Sequence, residues 1–450
     1  MSKKILALLA AVSILMPTLA AQKLTVDQAV ENALTHSLTI QTDQLSVEAA
    51  KIAQDDGVTN TFYPTLQATT TIGRSNSGTK ALSGMHYIDP SDSSSGMAAD
   101  YATYGPYVFF SSGLSFSLSL HPSMWESLKL LKYQIDTKQI SLQAAKKSLA
   151  LQIRQLYFGI VVQEEALKLQ QQSLAQAKET LANMQKSYEA GLVPEINLYQ
   201  LKNQIASSNS SINSSEANIA SQKQTLNFLM GTEDIDAPIE FVDGLPAVTG
   251  HELDTFKVEE ALAADTDLQN LNINEQMLDS QESMTKSSIY CPSVTLSASY
   301  QPLVYDVTTD WSTSTNHTDQ GSISATLAFN VTNMLPGSSS RTKLKTIANS
   351  RQNLEVGKDQ LVQNIRLTFS KNLADAKTAL EQMDLAKTNI ALAQKTLDLT
   401  KQSYENGLTD YASYRDAQLS HDQAKLNLLQ AQYTYFSSVL KLQSEASAAY

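Results

Sequence analysis

The sequence predicts a mostly α-helical chain with a membrane β-barrel portion: long coiled-coil helices forming an α-helical barrel, four β-strands per chain, and an internal two-fold repeat. Three observations predict it. A hairpin motif occurs twice, the apolar residues around both copies keep a period close to seven, and the period drops to two after each of two prolines.

The repeat is plain in the residues. Ser187-Tyr188-Glu189-Ala190-Gly191-Leu192 is answered by Ser403-Tyr404-Glu405-Asn406-Gly407-Leu408. At the same offset Leu174 and Leu181 fall on Ile390 and Leu397, and Ile212, Ile219 and Leu226 fall on Leu428, Tyr435 and Leu442. Upstream, Leu149, Ile153 and Tyr157 match Leu361, Ile365 and Phe369 at an offset about one helical turn shorter, an insertion that a long helix absorbs as a stutter.

From the N-terminus, Lys3 and Lys4 form a positive start, Ile5 to Met16 an apolar stretch too short to span a bilayer, and Thr18-Leu19-Ala20 a small-residue cleavage site. Residues 1–21 therefore read as a signal peptide, and the chain as exported. No Cys follows the cut, so no lipid anchor is expected there. The one cysteine, Cys291, excludes an intrachain disulfide and reads as a packed small hydrophobe. There are 33 basic and 45 acidic residues, a formal net charge of −12 that becomes more negative once Lys3 and Lys4 leave. Such a chain lacks the basic face that nucleic acid demands. It also lacks any mature apolar run near the ~20 residues of a membrane helix, so membrane entry would have to use strands.

The first repeat spans 22–230. Val26 to Val30 opens a helical region that runs to Phe62-Tyr63-Pro64, where proline stops it. Two strands follow, Leu66 to Ile72 and Leu114 to Leu120. From Ser123 to Ala190 the only breaker is Gly159, which predicts one helix of about 100 Å. Gly191 reverses the chain, and Glu195 to Met230 returns without Gly or Pro. Residues 231–256, with Pro238, Gly244, Pro246 and Gly250, read as an irregular linker lying across the helices. The second repeat, 257–450, follows the same plan: Val258 to Leu262 opens a helical region, Tyr290-Cys291-Pro292 ends it, strands at Val294 to Tyr300 and Ile323 to Phe329 follow, and Arg341 to Asn406 leads to the Gly407 reversal.

Each strand alternates. Leu114, Phe116, Leu118 and Leu120 stand between Ser115, Ser117 and Ser119, and Val294, Leu296, Ala298 and Tyr300 between Thr295, Ser297 and Ser299. A soluble sheet with one solvated face would alternate too. The membrane reading is favoured because the polar positions are small Ser and Thr, as suits a narrow aqueous lumen. Aromatic residues also gather at the strand ends, where interfacial girdles would lie: Tyr63, Tyr104, Tyr107, Phe109, Phe110, Tyr290, Tyr305 and Trp311. Four strands cannot close a barrel in lipid, since open edges leave backbone groups unpaired. The chain is thus expected to share a barrel with copies of itself, three giving about twelve strands.

With these elements assembled, the chain resembles the TolC-type outer-membrane factor (outer-membrane efflux protein) family over essentially the whole mature sequence. The carrying features are the two Tyr-x-x-Gly-Leu tips, the paired helix-strand-strand-helix order, the prolines before the strands, and Leu335-Pro336-Gly337 leading into a helix. The resemblance implies a homotrimer: a trimeric twelve-stranded barrel in outer-membrane lipid and a helical barrel crossing the periplasm. It implies as partners a periplasmic adaptor (membrane fusion protein) and an inner-membrane RND or ABC transporter, with small toxic molecules or secreted proteins as cargo, and neither catalysis nor a cofactor. It places adaptor docking at Gly191, Leu192, Gly407 and Leu408, and the periplasmic gate at Tyr188, Asn197, Tyr404, Ser413 and Asp416. Asn197 and Ser413 stand where the family often has acids, and Thr409 where it often has Arg. A gate closed by packing more than by ion pairs is therefore expected.

Plainer readings accompany these. Gly191 and Gly407 are helix C-caps before anything else; Tyr188 and Tyr404 also suit packed heptad positions, and Asp416 a solvated helix charge. The six His residues show no metal spacing, and no phosphate loop or nucleophile elbow occurs, so an enzyme is not expected. The rival reading is a periplasmic coiled-coil adaptor or scaffold, which would not need duplicated strand pairs.

Overall fold

The computed structural model of the chain describes residues 22–75, 78–86, 98–104, 107–191, 193–246, 251–304 and 317–446. The signal sequence, Leu192, Gly250, Tyr305 and Trp311 lie outside the described residues, as do the side chains of Tyr104 and Tyr107. In chain order the elements are β1 (Gln22–Leu24), α1 (Val26–His36), α2 (Leu38–Phe62), β2 (Thr65–Ser75), β3 (Gly78–His86), β4 (Ala98–Tyr104), β5 (Tyr107–Leu120), α3 (Ser123–Glu189) and α4 (Glu195–Met230). They continue with β6 (Ile239–Phe241), α5 (Val258–Ala264), α6 (Thr266–Tyr290), β7 (Ser293–Val304), β8 (His317–Ala328), α7 (Ser339–Glu405) and α8 (Tyr411–Ala446).

The long helices fall where the sequence places them. α3 and α7 are each 67 residues long and α4 and α8 each 36, so the repeat is exact in length as well as in motif. The expected continuous helical regions before the strands are each broken once. Ser37 adopts extended backbone between α1 and α2 while its carbonyl accepts from Gln41 N–H at 3.1 Å, and Asp265 does the same between α5 and α6, its carboxylate accepting from Leu268 N–H at 2.8 Å. At Asp265 the carboxylate caps a free amide of the new helix, a local gain that outweighs the continuity that composition favours.

Two compact units cut across the repeats, each drawing on both halves. The first comprises the chain up to Glu48, Thr137–Asn272 and everything from Glu355; the second comprises Ala49–Asp136 and Ile273–Leu354. In the first unit, α3 and α4 run antiparallel with Leu174, Ile212, Ile219 and Leu226 buried, as the seven-residue period requires. Amide pairs flank that seam: Gln163 donates to Gln222 at 2.9 Å and Gln171 to Glu216 at 3.1 Å. Phe369, Ala376 and Ala379 of α7 pack against Tyr435, Val439 and Leu442 of α8.

The linker is less irregular than its composition suggests. Its β6 pairs in parallel with β1, and Phe241 sets its ring edge-on to Tyr157 at 4.8 Å. Tyr157 is fully buried; its hydroxyl donates to Leu24 C=O at 2.8 Å and accepts from Asp243 N–H at 3.1 Å. Burial pushes this hydroxyl's pKa up, so it remains a donor. Tyr157→Phe removes one of the two donors to the Leu24 carbonyl, which Val242 N–H still meets at 3.2 Å, and leaves the part-buried Asp243 N–H without its acceptor; it is expected to lower stability by about 0.5–1.5 kcal/mol, read as a reduced melting temperature with the helical circular dichroism unchanged below it.

The second unit holds an antiparallel sheet in the order β2-β5-β7-β8. β2 and β5 come from the first repeat, β7 and β8 from the second, and β5 pairs β7 with Phe116 opposite Ala298 and Leu120 opposite Val294. β2 and β5 run longer than the alternation alone indicates, reaching Ser75 and Tyr107. Between them β3 and β4 form a separate antiparallel hairpin that the sequence reading did not anticipate.

Candidate functional site

Two features carry functional geometry, one in each unit. In the second, the register sorts side chains cleanly by face. Leu66, Phe116, Ala298 and Ile323 share a row on one face, as do Leu120, Val294 and Leu327, while Thr65, Ser117, Ser297 and Ser324 share a row on the other. The apolar face is bare: Leu66 is 73% exposed, Ile323 91% and Leu327 70%. On the polar face the hydroxyls pair with one another across strands, Ser297 with Ser324 at 2.8 Å, Ser299 with Ser322 at 2.9 Å and Ser119 with Thr295 at 3.3 Å. A soluble sheet buries its apolar face and wets the polar one. Among the described residues the apolar face has no cover and the edges β2 and β8 have no further strand partner.

Near the helix ends that precede these strands, aromatic side chains are exposed. Trp125 lies 5.3 Å from Phe62, ring centre to ring centre, and the Arg341 guanidinium sits 5.6 Å above Tyr290.

The first unit holds the hairpin tips. Gly191 and Gly407 both take left-handed backbone, φ +73° and +71°, which a residue with a Cβ adopts only under strain. Gly191 N–H donates to Tyr188 C=O at 2.8 Å; Gly407 N–H donates to Tyr404 C=O at 3.0 Å and Leu408 N–H to Ser403 C=O at 2.8 Å, closing the helix end with its own amides. Leu408 is left 80% exposed at the turn.

Beside the tips, Met184, Leu198, Leu201 and Tyr411 are buried together, with Leu181, Val193, Ile205, Tyr404 and Tyr414 packed around them. Tyr404 stacks on Tyr414 with ring centres 5.5 Å apart and planes 6° from parallel, and meets Tyr411 edge-on at 5.9 Å. Burial, helped by the neighbouring Tyr404, pushes the Tyr411 hydroxyl up to about 12. The two repeats thus differ at equivalent positions, because Tyr404 joins this cluster whereas Tyr188 is exposed and stands outside it.

The remaining gate candidates lie in the first turns of the returning helices. Ser413 N–H donates to Asp410 at 2.9 Å, and that contact, from the Ser413 side chain and amide, holds the Asp410 carboxyl below its ordinary range. Asn197 sits one turn into α4 with its N–H on Pro194 C=O at 3.2 Å. Asp416 is exposed and receives two bonds from Arg415, 2.8 and 3.1 Å, so its first partner is its own neighbour. Sequence reasoning missed Tyr411, Tyr414 and Arg415. The readable signal was the i, i+3 spacing of the two tyrosines just after the Gly407 turn.

Polar links join the hairpins above the tips: Ser173 donates to Asp422 at 2.8 Å and Gln418 to Gln176 at 3.1 Å. Two apolar rows of seven-residue period face outward instead, Leu38, Leu45 and Ile52 on α2, and Leu385, Leu392 and Leu399 on α7.

No group of His, Cys, Asp and Glu suited to a metal ion occurs among the described residues. No curated protein sequence matches the chain. Solved structures do. The outer membrane protein VceC of Vibrio cholerae aligns at TM-score 0.73 and 16% identity, covering 94% of this chain and 95% of that one. The Campylobacter jejuni CmeC outer membrane channel aligns at 0.73 and 15% over 94% and 86%, and the open state of the Neisseria gonorrhoeae MtrE outer membrane channel at 0.68 and 18% over 94% and 89%. These likenesses establish the fold. The family model for outer membrane efflux proteins matches residues 29–232 and 258–445, the two repeats almost end to end, and by that match the chain belongs to the outer membrane efflux protein family.

Proposed function

We propose that this chain is the outer-membrane duct of a tripartite export system, with residues 1–21 as its export signal and the repeats 22–230 and 257–450, joined through 231–256, supplying matching halves of the wall. Members of the family are passive channels, so the chain is not an enzyme, and membership sets aside the adaptor reading. Three copies close a barrel of about twelve strands in the outer membrane, and the helical hairpins cross the periplasm. The tips at Gly191-Leu192 and Gly407-Leu408 meet a periplasmic adaptor, which brings an inner-membrane RND or ABC transporter.

One observation carries this reading: a four-stranded sheet with a bare apolar face, a hydroxyl-lined opposite face and two open edges. Lipid is the solvent that favours that apolar face, and pairing β2 of one copy with β8 of the next is the arrangement that satisfies both edges. The exposed rows Leu38, Leu45, Ile52 and Leu385, Leu392, Leu399 support association with further helices, since heptad rows bury against helices. Cysteines paired one on β2 and one on β8, scanned through successive registers in a Cys291→Ser background, are expected to trap covalent trimers in the outer membrane. A stable monomer extracted from membranes would sink the proposal.

The periplasmic gate is proposed to rest on packing, with Tyr404 as its centre and Asn197, Ser413 and Asp416 around the mouth. Stacked aromatic pairs contribute about 0.5–1.5 kcal/mol beyond their buried area, whereas exposed ion pairs such as Arg415 with Asp416 contribute about 0–1 kcal/mol and are screened by salt. Tyr404→Ala should raise single-channel conductance in planar bilayers, and Asp416→Ala should change mainly cation preference. Equal opening by the two variants would make the gate electrostatic.

A further inference from the structure

The polar face of the sheet changes character along its length. Rows nearest the preceding helices present Thr65, Ser117, Ser297 and Ser324, then Gln67, Ser115, Ser299 and Ser322. Towards the far end the same face carries Gln301 and Gln320, then Leu303, then Phe109. No charged residue stands on this face in any of the four strands.

Both bulky groups lie over glycine. Phe109 is opposite Gly73 in the register, and a methyl group built on Gly73 would lie 2.5 Å from Phe109 Cζ, so the tip of the ring occupies the space a side chain there would take. The register on either side, Ser111 opposite Leu303 and Leu114 opposite Tyr300, sets Gly113 opposite Gln301. A methyl on Gly113 would come within 3.1 Å of Gln301 Cβ and Cγ, and the Gln301 amide crosses that glycine to donate to Ser111 Oγ at 2.7 Å. Phe109 and Gln301 thus each fill space that a Cβ on the glycine beneath would take.

We infer that Phe109 and Gln301 form a collar at the outer end of the barrel lining, and that this collar selects cargo by size and apolar surface and not by charge. The inference rests on the duct reading, in which the polar face lines the lumen. Each of three copies contributes one phenyl ring and one amide to the collar. An apolar cargo of either charge meets these and hydroxyls already paired with one another. Along the polar face of the four strands a charged cargo meets no charged side chain.

The test uses the full trimer in planar bilayers, with graded uncharged polyethylene glycols added on the barrel side so that they probe the exit and not the periplasmic mouth. Phe109→Ala and Gln301→Ala should admit larger polymers than the native channel, and Gly73→Val, which lifts the ring off the wall, should admit only smaller ones. All three should keep the native reversal potential in a KCl gradient, while Ser324→Asp, placing charge in the bare lining, should shift it towards cations. An unchanged polymer limit in Phe109→Ala and Gln301→Ala channels overturns the collar, whether or not Gly73→Val assembles. A shifted reversal potential in those two variants overturns selection without charge. Native trimers that form no channel at all would instead overturn the duct reading.

Discussion

Phe116→Lys is expected to abolish assembly in the outer membrane, and Leu327→Lys to lower it. Both residues occupy the apolar face, on β5 and β8, and Leu327 is already bare of protein cover. A lysine facing lipid costs about 2–4 kcal/mol per chain near the midplane and about 0–1 kcal/mol near an interface, so the change at Phe116, inside β5, costs more than that at Leu327, one residue from the end of β8, and a trimer carries either cost three times. Ser324→Lys, on the opposite face of β8, should leave assembly intact, because its ammonium would sit in water. The measurement is the yield of heat-resistant trimer from outer-membrane fractions. Full assembly of the Leu327 and Phe116 variants with loss of the Ser324 variant would mean that the faces are reversed.

The second large effect is expected at the hairpin tips. Gly407→Pro removes the N–H that bonds Tyr404 C=O and forces φ from +71° to about −65°, so the turn cannot keep its geometry. Export should fall to background while trimers remain in the membrane, since the change is far in sequence from every strand. Leu408→Asp separates docking from folding: the backbone of the turn is untouched, and only an exposed apolar side chain is replaced by a charge. It should also abolish export. Cysteine at Leu408, in a Cys291→Ser background, should cross-link to a periplasmic adaptor in exporting cells. Normal export from both variants, with no cross-linked partner, would remove the tips from the docking surface.

Much of the architecture was legible because it is written in local periods. A seven-residue row of Leu174, Leu181, Ile212 and Ile219 can bury itself only along a helix seam, and alternation of Leu with Ser from Leu114 to Leu120 can sort itself only across a strand. Pro64 and Pro292 end helices for steric reasons that act within a residue or two. The turns at Gly191 and Gly407 were equally readable, because reversal needs a residue at ease at positive φ. The breaks at Ser37 and Asp265 escaped notice, although both residue types favour helix starts, because composition on either side reads as helix throughout.

What the sequence by itself determined was therefore the duplicated plan, the long helices, the four strands of the sheet, and which side of each of those strands is apolar, since each depends on neighbours within one or two turns. Only the tertiary structure decided that β5 pairs with β7 and so joins the repeats in one sheet. It alone decided that Tyr404, and not Tyr188, enters an aromatic cluster, that Tyr157 ties β1 to the linker, and that Phe109 and Gln301 rest on Gly73 and Gly113. Each of these unites residues far apart in the chain or depends on the space left by an absent side chain. Such choices are made by shape and by the pairing of buried polar groups, which no local period records.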